Sequence, residues 1–245
     1  MSHIFDALQR SETEQATEPV LTESTFSHAT DLLELAERKR RGPEDAITHL
    51  QEFDRPETAN VADHFPSLPV CIQPDSRLVS VGQQESLGAE KFRFLAVRLR
   101  QLRQTRPLHK ILVTSTIPQE GKSTVAANLA CTLAKRKPHK TLLLEGDLRR
   151  PTVAGKFGLG KVPGLCEWLR GETESKNIYR LEAMRLWVLP AGSAHENPLE
   201  LMQSGKLSSL MDQLTSWFDW IVIDSPPVLP LADTSLWARL SDGIL

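Results

Sequence analysis

Cysteine is scarce and long apolar runs are missing from this 245-residue chain, and each shortage removes a class of protein. Cys71, Cys131 and Cys166 are odd in number and lack metal-ligand spacing, which excludes a disulfide framework and points to a reducing compartment. No apolar run approaches the roughly 18 residues of a spanning helix, and the first residues lack a signal-peptide pattern. The chain therefore reads as cytosolic, with any membrane association running through a partner or a surface helix. Its basic clusters, such as Lys135-Arg136-Lys137, have no interleaved aromatics and no recognisable reading helix, so nucleic acid is not the expected partner.

What is present suffices for one ordinary α/β core, with 40% hydrophobic residues. The net charge of −2 hides an asymmetry: residues 1–85 hold 7 Lys and Arg against 16 Asp and Glu, whereas the remainder holds 22 against 15. Residues 1–80 read as an N-terminal arm, largely irregular, that ends in a Pro-punctuated connector (Pro56, Pro66, Pro69, Pro74). Two short helices are expected within it. Residues 2–10 put Ile4, Phe5 and Leu8 on one face, and residues 31–41 end in a basic run that complements the helix dipole. Residues 81–245 form the folded domain, opening with a helix from Leu87 to Arg103 whose apolar face includes Ala89, Phe92, Leu95, Ala96 and Leu99.

The domain is organised around KILVTSTIPQEGKST, from Lys110 to Thr124. Ile111, Leu112 and Val113 are β-prone and bounded by polar residues, as in a buried strand, while Val125, Leu129 and Leu133 follow at helical spacing. Gly121-Lys122-Ser123-Thr124 thus falls where a helix presents unpaired N–H groups, an anion site. Pro118, Gln119, Glu120 and Gly121 shape the loop, Lys122 suits the β- and γ-phosphates of a nucleoside triphosphate, and the Ser123 hydroxyl suits Mg²⁺. The strict pattern has Gly five residues before Gly121; Thr116 stands there, so the loop is a deviant Walker type.

Two further apolar strands end in carboxylates. TLLLE, from Thr141 to Glu145, runs into Gly146-Asp147-Leu148-Arg149-Arg150-Pro151, and WIVID, from Trp220 to Asp224, runs into Ser225-Pro226-Pro227. In an open parallel sheet, ligands sit at the carboxyl ends of strands, which brings Glu145, Asp147 and Asp224 beside the phosphate loop. Between them a short helix at 164–171, a strand at 185–189 and helices after Asn197-Pro198 are expected. The predicted fold is a doubly wound, mainly parallel α/β sheet of the P-loop NTPase class. Asp242-Gly243-Ile244-Leu245 reads as the start of another strand, broken off two apolar residues in, which suggests a fragment of a longer protein.

These three elements in this order, with Asn197-Pro198-Leu199-Glu200-Leu201 and Ser241-Asp242-Gly243, resemble the bacterial tyrosine kinases of capsule and exopolysaccharide synthesis. The resemblance implies an ATP- and Mg²⁺-dependent protein-tyrosine kinase that autophosphorylates in trans. It implies Lys122, Glu145 and Asp147 as catalytic residues, Glu145 helping to activate the tyrosine hydroxyl. It gives Thr124 the α-phosphate, and Ser123, Asp147 and Asp224 the metal. It also implies a membrane-embedded polysaccharide co-polymerase as activator, protein tyrosine substrates, a homo-oligomer, and a place at the inner face of the membrane reached through that partner. Four positions depart from the family pattern: Glu145 where Asp is usual, Gln119 where Gly is usual, Ala96 where a ring-forming Arg is usual, and Tyr179 as the only tyrosine. Gln119 is expected to tighten or reshape the loop. Two alternatives stay open: a catalytically weak nucleotide-binding scaffold of the same assembly, which Glu145 and Gln119 favour, and a positioning ATPase of the partition and cell-division kind. Ser115-Thr116-Ile117, in place of a second loop lysine, argues against the latter.

Overall fold

The computed structural model describes residues 64–72, 76–82, 85–195, 197–203, 205–229 and 232–245. The helices expected at 2–10 and 31–41, and most of the expected arm, lie outside these residues. The described elements, in chain order, are α1 (Val79–Gly82), α2 (Leu87–Arg103), β1 (Lys110–Val113), α3 (Lys122–Ala134), β2 (Thr141–Glu145), α4 (Val153–Phe157), α5 (Leu165–Arg170), β3 (Tyr179–Leu181), β4 (Leu186–Leu189), α6 (Pro198–Met202), α7 (Lys206–Trp217), β5 (Trp220–Asp224), α8 (Asp233–Arg239) and β6 (Gly243–Ile244).

The strands form one sheet in the order β3-β4-β2-β5-β1-β6, parallel throughout except for β3, which pairs antiparallel with β4 at the edge. Period-two alternation divides each central strand between two cores. Ile111, Val113, Leu143, Val188 and Val222 face α2, α3 and α4, while Leu112, Leu142, Leu144, Leu189, Ile221 and Ile223 face α5, α7 and α8. Because both faces are covered, the strands read as continuous apolar runs, which is why they were conspicuous in the sequence.

Helix α3 is buried on nearly every side from Ala126 to Ala134, since α1 and α2 cover the flank that the sheet leaves open. One polar residue inside it, Asn128, accepts from the Ser80 N–H and donates to the carbonyls of Arg77 and Thr124. Ser86 caps α2 by accepting from the Ala89 N–H at 3.2 Å. Glu90 is buried and paired with Arg93, and Ala96 is fully buried, so an Arg at position 96 would have to leave the core.

The expected boundary at residue 80/81 cuts through packed structure. Residues 64–72 run along the β3 edge, where Arg180 donates its N–H to the Pro66 carbonyl and Leu68 donates to the Arg180 carbonyl, and Cys71 donates to the Phe157 carbonyl. Phe65 rests on Trp217 and Phe218, with ring centroids 5.9 and 6.4 Å away. Pro66 and Pro69, read from sequence as connector residues, suit this edge-lying extended segment because proline donates no hydrogen bond there.

Candidate active site

The parallel order puts β5 between β1 and β2, with Asp224 opposite both Val113 and Glu145. Their carboxyl ends are bound together: the Gly146 N–H donates to the Asp224 carbonyl at 2.7 Å, and the Ser225 N–H donates to the Val113 carbonyl at 3.1 Å. Gly146 has no room for a side chain, since a Cβ would lie 2.7 Å from the Trp237 ring, whose Nε1 donates to the Gly146 carbonyl. The turn after β2 is therefore fixed against α8, and Asp147 projects beside the loop that follows β1.

That loop ends at Gly121, in the left-handed region at φ +89°, whose carbonyl accepts from the Thr124 and Val125 N–H groups as α3 begins. Glu120 turns back, its carboxylate accepting from the Ile117 N–H at 3.1 Å. Gln119 adopts φ +68°, a conformation that glycine takes without strain. The side chain is tolerated by accepting a left-handed backbone, at about 1–2 kcal/mol.

Pro118, Gln119, Gly121, Lys122, Ser123, Thr124 and Asp147 line one cavity of about 860 Å³. Arg77, Arg149, Arg150, Thr152, Lys156 and Pro227 complete its wall. Five basic side chains thus surround one lining carboxylate, the balance expected of a polyanion site. Lys122 stands 3.7 Å from Asp147, an ion pair with both side chains largely buried. Arg149 is held to the buried Asp233 of α8, Nε to Oδ2 at 2.8 Å. Of the residues that sequence reasoning missed, Arg77 and Lys156 come from segments remote from the loop, and no local pattern marks them. Arg150 and Thr152 stand in or just after the motif following β2, where position alone carried a weak signal.

The other two acidic residues differ in kind. Asp224 is fully buried and neither carboxylate oxygen has a hydrogen-bond partner. Desolvation pushes its carboxyl up to about 7, with the Ser123 hydroxyl and the Lys122 charge pulling in the opposite direction. Two orphaned buried oxygens beside Ser123 and Asp147 fit a divalent cation held by hard oxygen donors.

Glu145 is equally buried but fully engaged. Oε1 accepts from the Val153 N–H at 2.7 Å and also from the Thr152 N–H, and Oε2 accepts from the Ala191 N–H at 2.9 Å. Desolvation raises its pKa against the pull of these three donors. Neither Glu145 nor Asp224 lines the cavity, and Asp147 is the one predicted acidic site residue on its wall. Through these contacts the Glu145 carboxylate braces the start of α4 to the end of β4. The longer side chain, compared with Asp, supplies the reach for that brace.

No protein-family model matches the chain. It is 31% identical over 167 residues to the tyrosine-protein kinase YwqD of Bacillus subtilis (strain 168), covering 68% of this chain and 70% of that protein. It is 34% identical over 157 residues to the putative tyrosine-protein kinase CapB of Staphylococcus aureus, covering 64% and 68%. Among solved structures, the chimerical protein CapA2B2 superposes with a TM-score of 0.64 at 33% identity, over 77% of this chain and 82% of that one.

Proposed function

Since this chain belongs to the family of bacterial tyrosine-protein kinases, we propose that its cavity binds ATP with Mg²⁺ and that it transfers the γ-phosphoryl group to a tyrosine hydroxyl. The observation that carries this reading is Asp224, a buried carboxylate whose oxygens have no well-formed hydrogen bond, beside Ser123 and the Lys122–Asp147 pair. The backbone amides of Gly121, Lys122 and Ser123 and the Lys122 ammonium hold the β- and γ-phosphates, and Thr124 holds the α-phosphate. Ser123, Asp147 and Asp224 hold the metal ion, whose contribution is to neutralise charge on the phosphate oxygens.

In the transfer the bond from the γ-phosphorus to the bridging oxygen breaks, a bond to the tyrosine oxygen forms, and the phenolic proton leaves. Asp147, the carboxylate that lines the cavity, helps to orient that hydroxyl through the metal it holds, and the phenolic proton passes to solvent. Such a site works mainly by alignment and charge, so a rigid loop and fixed strand ends are what it requires.

The biological setting is capsule or exopolysaccharide synthesis, and the activator is a membrane-embedded co-polymerase. No helix among the described residues is long and apolar enough to cross a membrane. The co-polymerase supplies the position at the membrane's inner face. The engagement of Glu145 favours a second reading, a scaffold that binds nucleotide with little transfer.

Incubation with labelled ATP, Mg²⁺ and the cytoplasmic segment of the activator separates the two. Phosphotyrosine that disappears in Lys122→Met supports the kinase, whereas bound nucleotide without transfer supports the scaffold. Hydrolysis accelerated by DNA or lipid, without phosphotyrosine, would instead identify a positioning ATPase.

A further inference from the structure

Lys156 has no assigned purpose in the phosphate loop or at the strand ends, yet it lines the same cavity as Lys122. It stands on α4, and its Nζ donates to Thr124 Oγ1 at 2.9 Å. Its position is fixed from three directions. Glu145 holds the Thr152 and Val153 N–H groups at the start of α4, and Val153 and Phe157 are buried in the core beneath it. At its far end Gly158 lies so close to the 64–72 segment, a strap along the sheet edge, that a Cβ there would be 2.2 Å from the Cys71 carbonyl oxygen. The helix cannot drift, so Lys156 is a stationary charge across the loop from the Lys122–Asp147 pair.

We propose that Lys156 is a second phosphate-binding cation of this site, contacting the α-phosphate side of a bound nucleoside triphosphate beside Thr124. The inference rests on the nucleotide reading above and adds a residue to it. Lys122 is partly neutralised by Asp147 at 3.7 Å and Arg149 by Asp233 at 2.8 Å, so a further cation fixed beside Thr124 improves the match to a triphosphate. Contacts to the α-phosphate stay the same as the γ-phosphoryl group moves. Lys156 therefore contributes to affinity and KM and leaves kcat unchanged.

The test is direct binding of ATP with Mg²⁺ to the full chain by calorimetry, alongside steady-state kinetics, for wild type, Lys122→Met, Lys156→Gln and Lys156→Arg. The Gln variant keeps a donor for Thr124 and removes the charge; the Arg variant keeps the charge. Lys156→Gln is expected to weaken ATP binding on the order of tenfold and raise KM to match, with kcat within about twofold of wild type and a shallower salt dependence. Lys156→Arg is expected to restore most of the affinity. Equal melting temperatures without nucleotide establish that the fold is intact, and if the Gln variant melts early, Lys156→Met, which removes the charge and keeps the apolar stem, is titrated in its place. Wild-type binding matched by Lys156→Gln would overturn the inference alone, leaving Lys156 as a brace for Thr124. Failure of the wild-type chain to bind ATP would overturn the nucleotide reading and this inference together.

Discussion

Asp224 combines complete burial with two unsatisfied oxygens, and a folded chain pays for such a group when something outside the chain uses it. Replacing it with Asn removes a buried carboxyl whose desolvation Ser123 and Lys122 offset only in part. Metal-free Asp224→Asn is therefore expected to melt no lower than wild type, while phosphotyrosine formation falls by about 10²-fold or more. Mg²⁺ with ATP should raise the wild-type melting temperature and leave that of the variant nearly unmoved, because ligand stabilises only the state that binds it. Thermal scans with and without Mg²⁺ check both. Glu145 gives the opposite pattern. Glu145→Ala leaves three backbone donors without this acceptor, two of them buried, and is expected to cost about 3 kcal/mol in urea unfolding. Glu145→Asp, too short to span α4 and β4, should also lose stability and raise KM; a general base would cut kcat and leave stability untouched. At this scale the sequence marked which residue types bear chemistry, but one carboxylate at a strand end can serve as base, metal ligand or brace. The choice depends on which N–H groups the fold brings to it, and those of Thr152, Val153 and Ala191 are not local to Glu145. Gln119, a non-glycine, stands in a left-handed backbone within the loop.

Central strands and long helices were the legible elements. β1, β2, β4 and β5 are apolar runs because both sheet faces are covered, and α2 spans the residues its 3.6-residue period indicates. β3 escaped notice because Tyr179-Arg180-Leu181 is three residues long, alternates polar and apolar, and owes its existence to pairing with β4. α4 escaped because five residues after a proline carry too little periodicity, and its start is stabilised from a distance by Glu145. β6 is shorter still and depends on Asp242, whose Oδ2 accepts from the His109 and Lys110 N–H groups, both at 2.8 Å, with Lys110 Nζ 3.4 Å from Oδ1. Partial burial works against the Asp242 charge, but the N–H groups of Lys110 and His109 and the Lys110 ammonium outweigh it and hold the carboxyl below its usual range. A depressed folded pKa contributes stability above the unfolded value, near 3.9, and that contribution is lost as pH falls through the lower folded value. Asp242→Asn is expected to cost about 1 kcal/mol at neutral pH, after discounting for solvent screening of a partly exposed group. The gap between variant and wild type should be constant above about pH 5 and close below about pH 4, as measured by urea unfolding across pH.

At the scale of the whole molecule, the packed body is larger than the apolar pattern from Leu87 onwards suggests, because part of the expected arm belongs to it. Residues 64–72 bind the β3 edge and the end of α4, and residues 76–82 are fastened to α3 through Asn128, through Thr132 Oγ1 donating to Ser80 Oγ at 2.9 Å, and through Lys135 Nζ donating to the Ser80 carbonyl at 2.6 Å. Leu78 is buried, and Phe65, Leu68, Val70 and Ile72 pack on the two cores. The segment also carries Arg77 to the cavity wall, so it connects stability to the site. Proline density hid this from sequence reading, since the extended backbone that proline favours serves a free linker and an edge-bound strap equally well. Two shortened chains distinguish them. One beginning at His64 keeps every contact named here and should melt within about 2 °C of the full chain with unchanged ATP affinity, since 1 kcal/mol corresponds to only about 2–4 °C at this size. One beginning at Val81 loses a fully buried leucine, four partly buried apolar side chains and the Asn128 contacts. Set against the ordering entropy recovered, that is a net loss of about 3 kcal/mol or more and a melting temperature lower by roughly 6–12 °C. Its ATP affinity should fall as well, through the loss of Arg77. Equal melting of the two chains would mean that the strap contributes nothing and that the folded unit begins at residue 81.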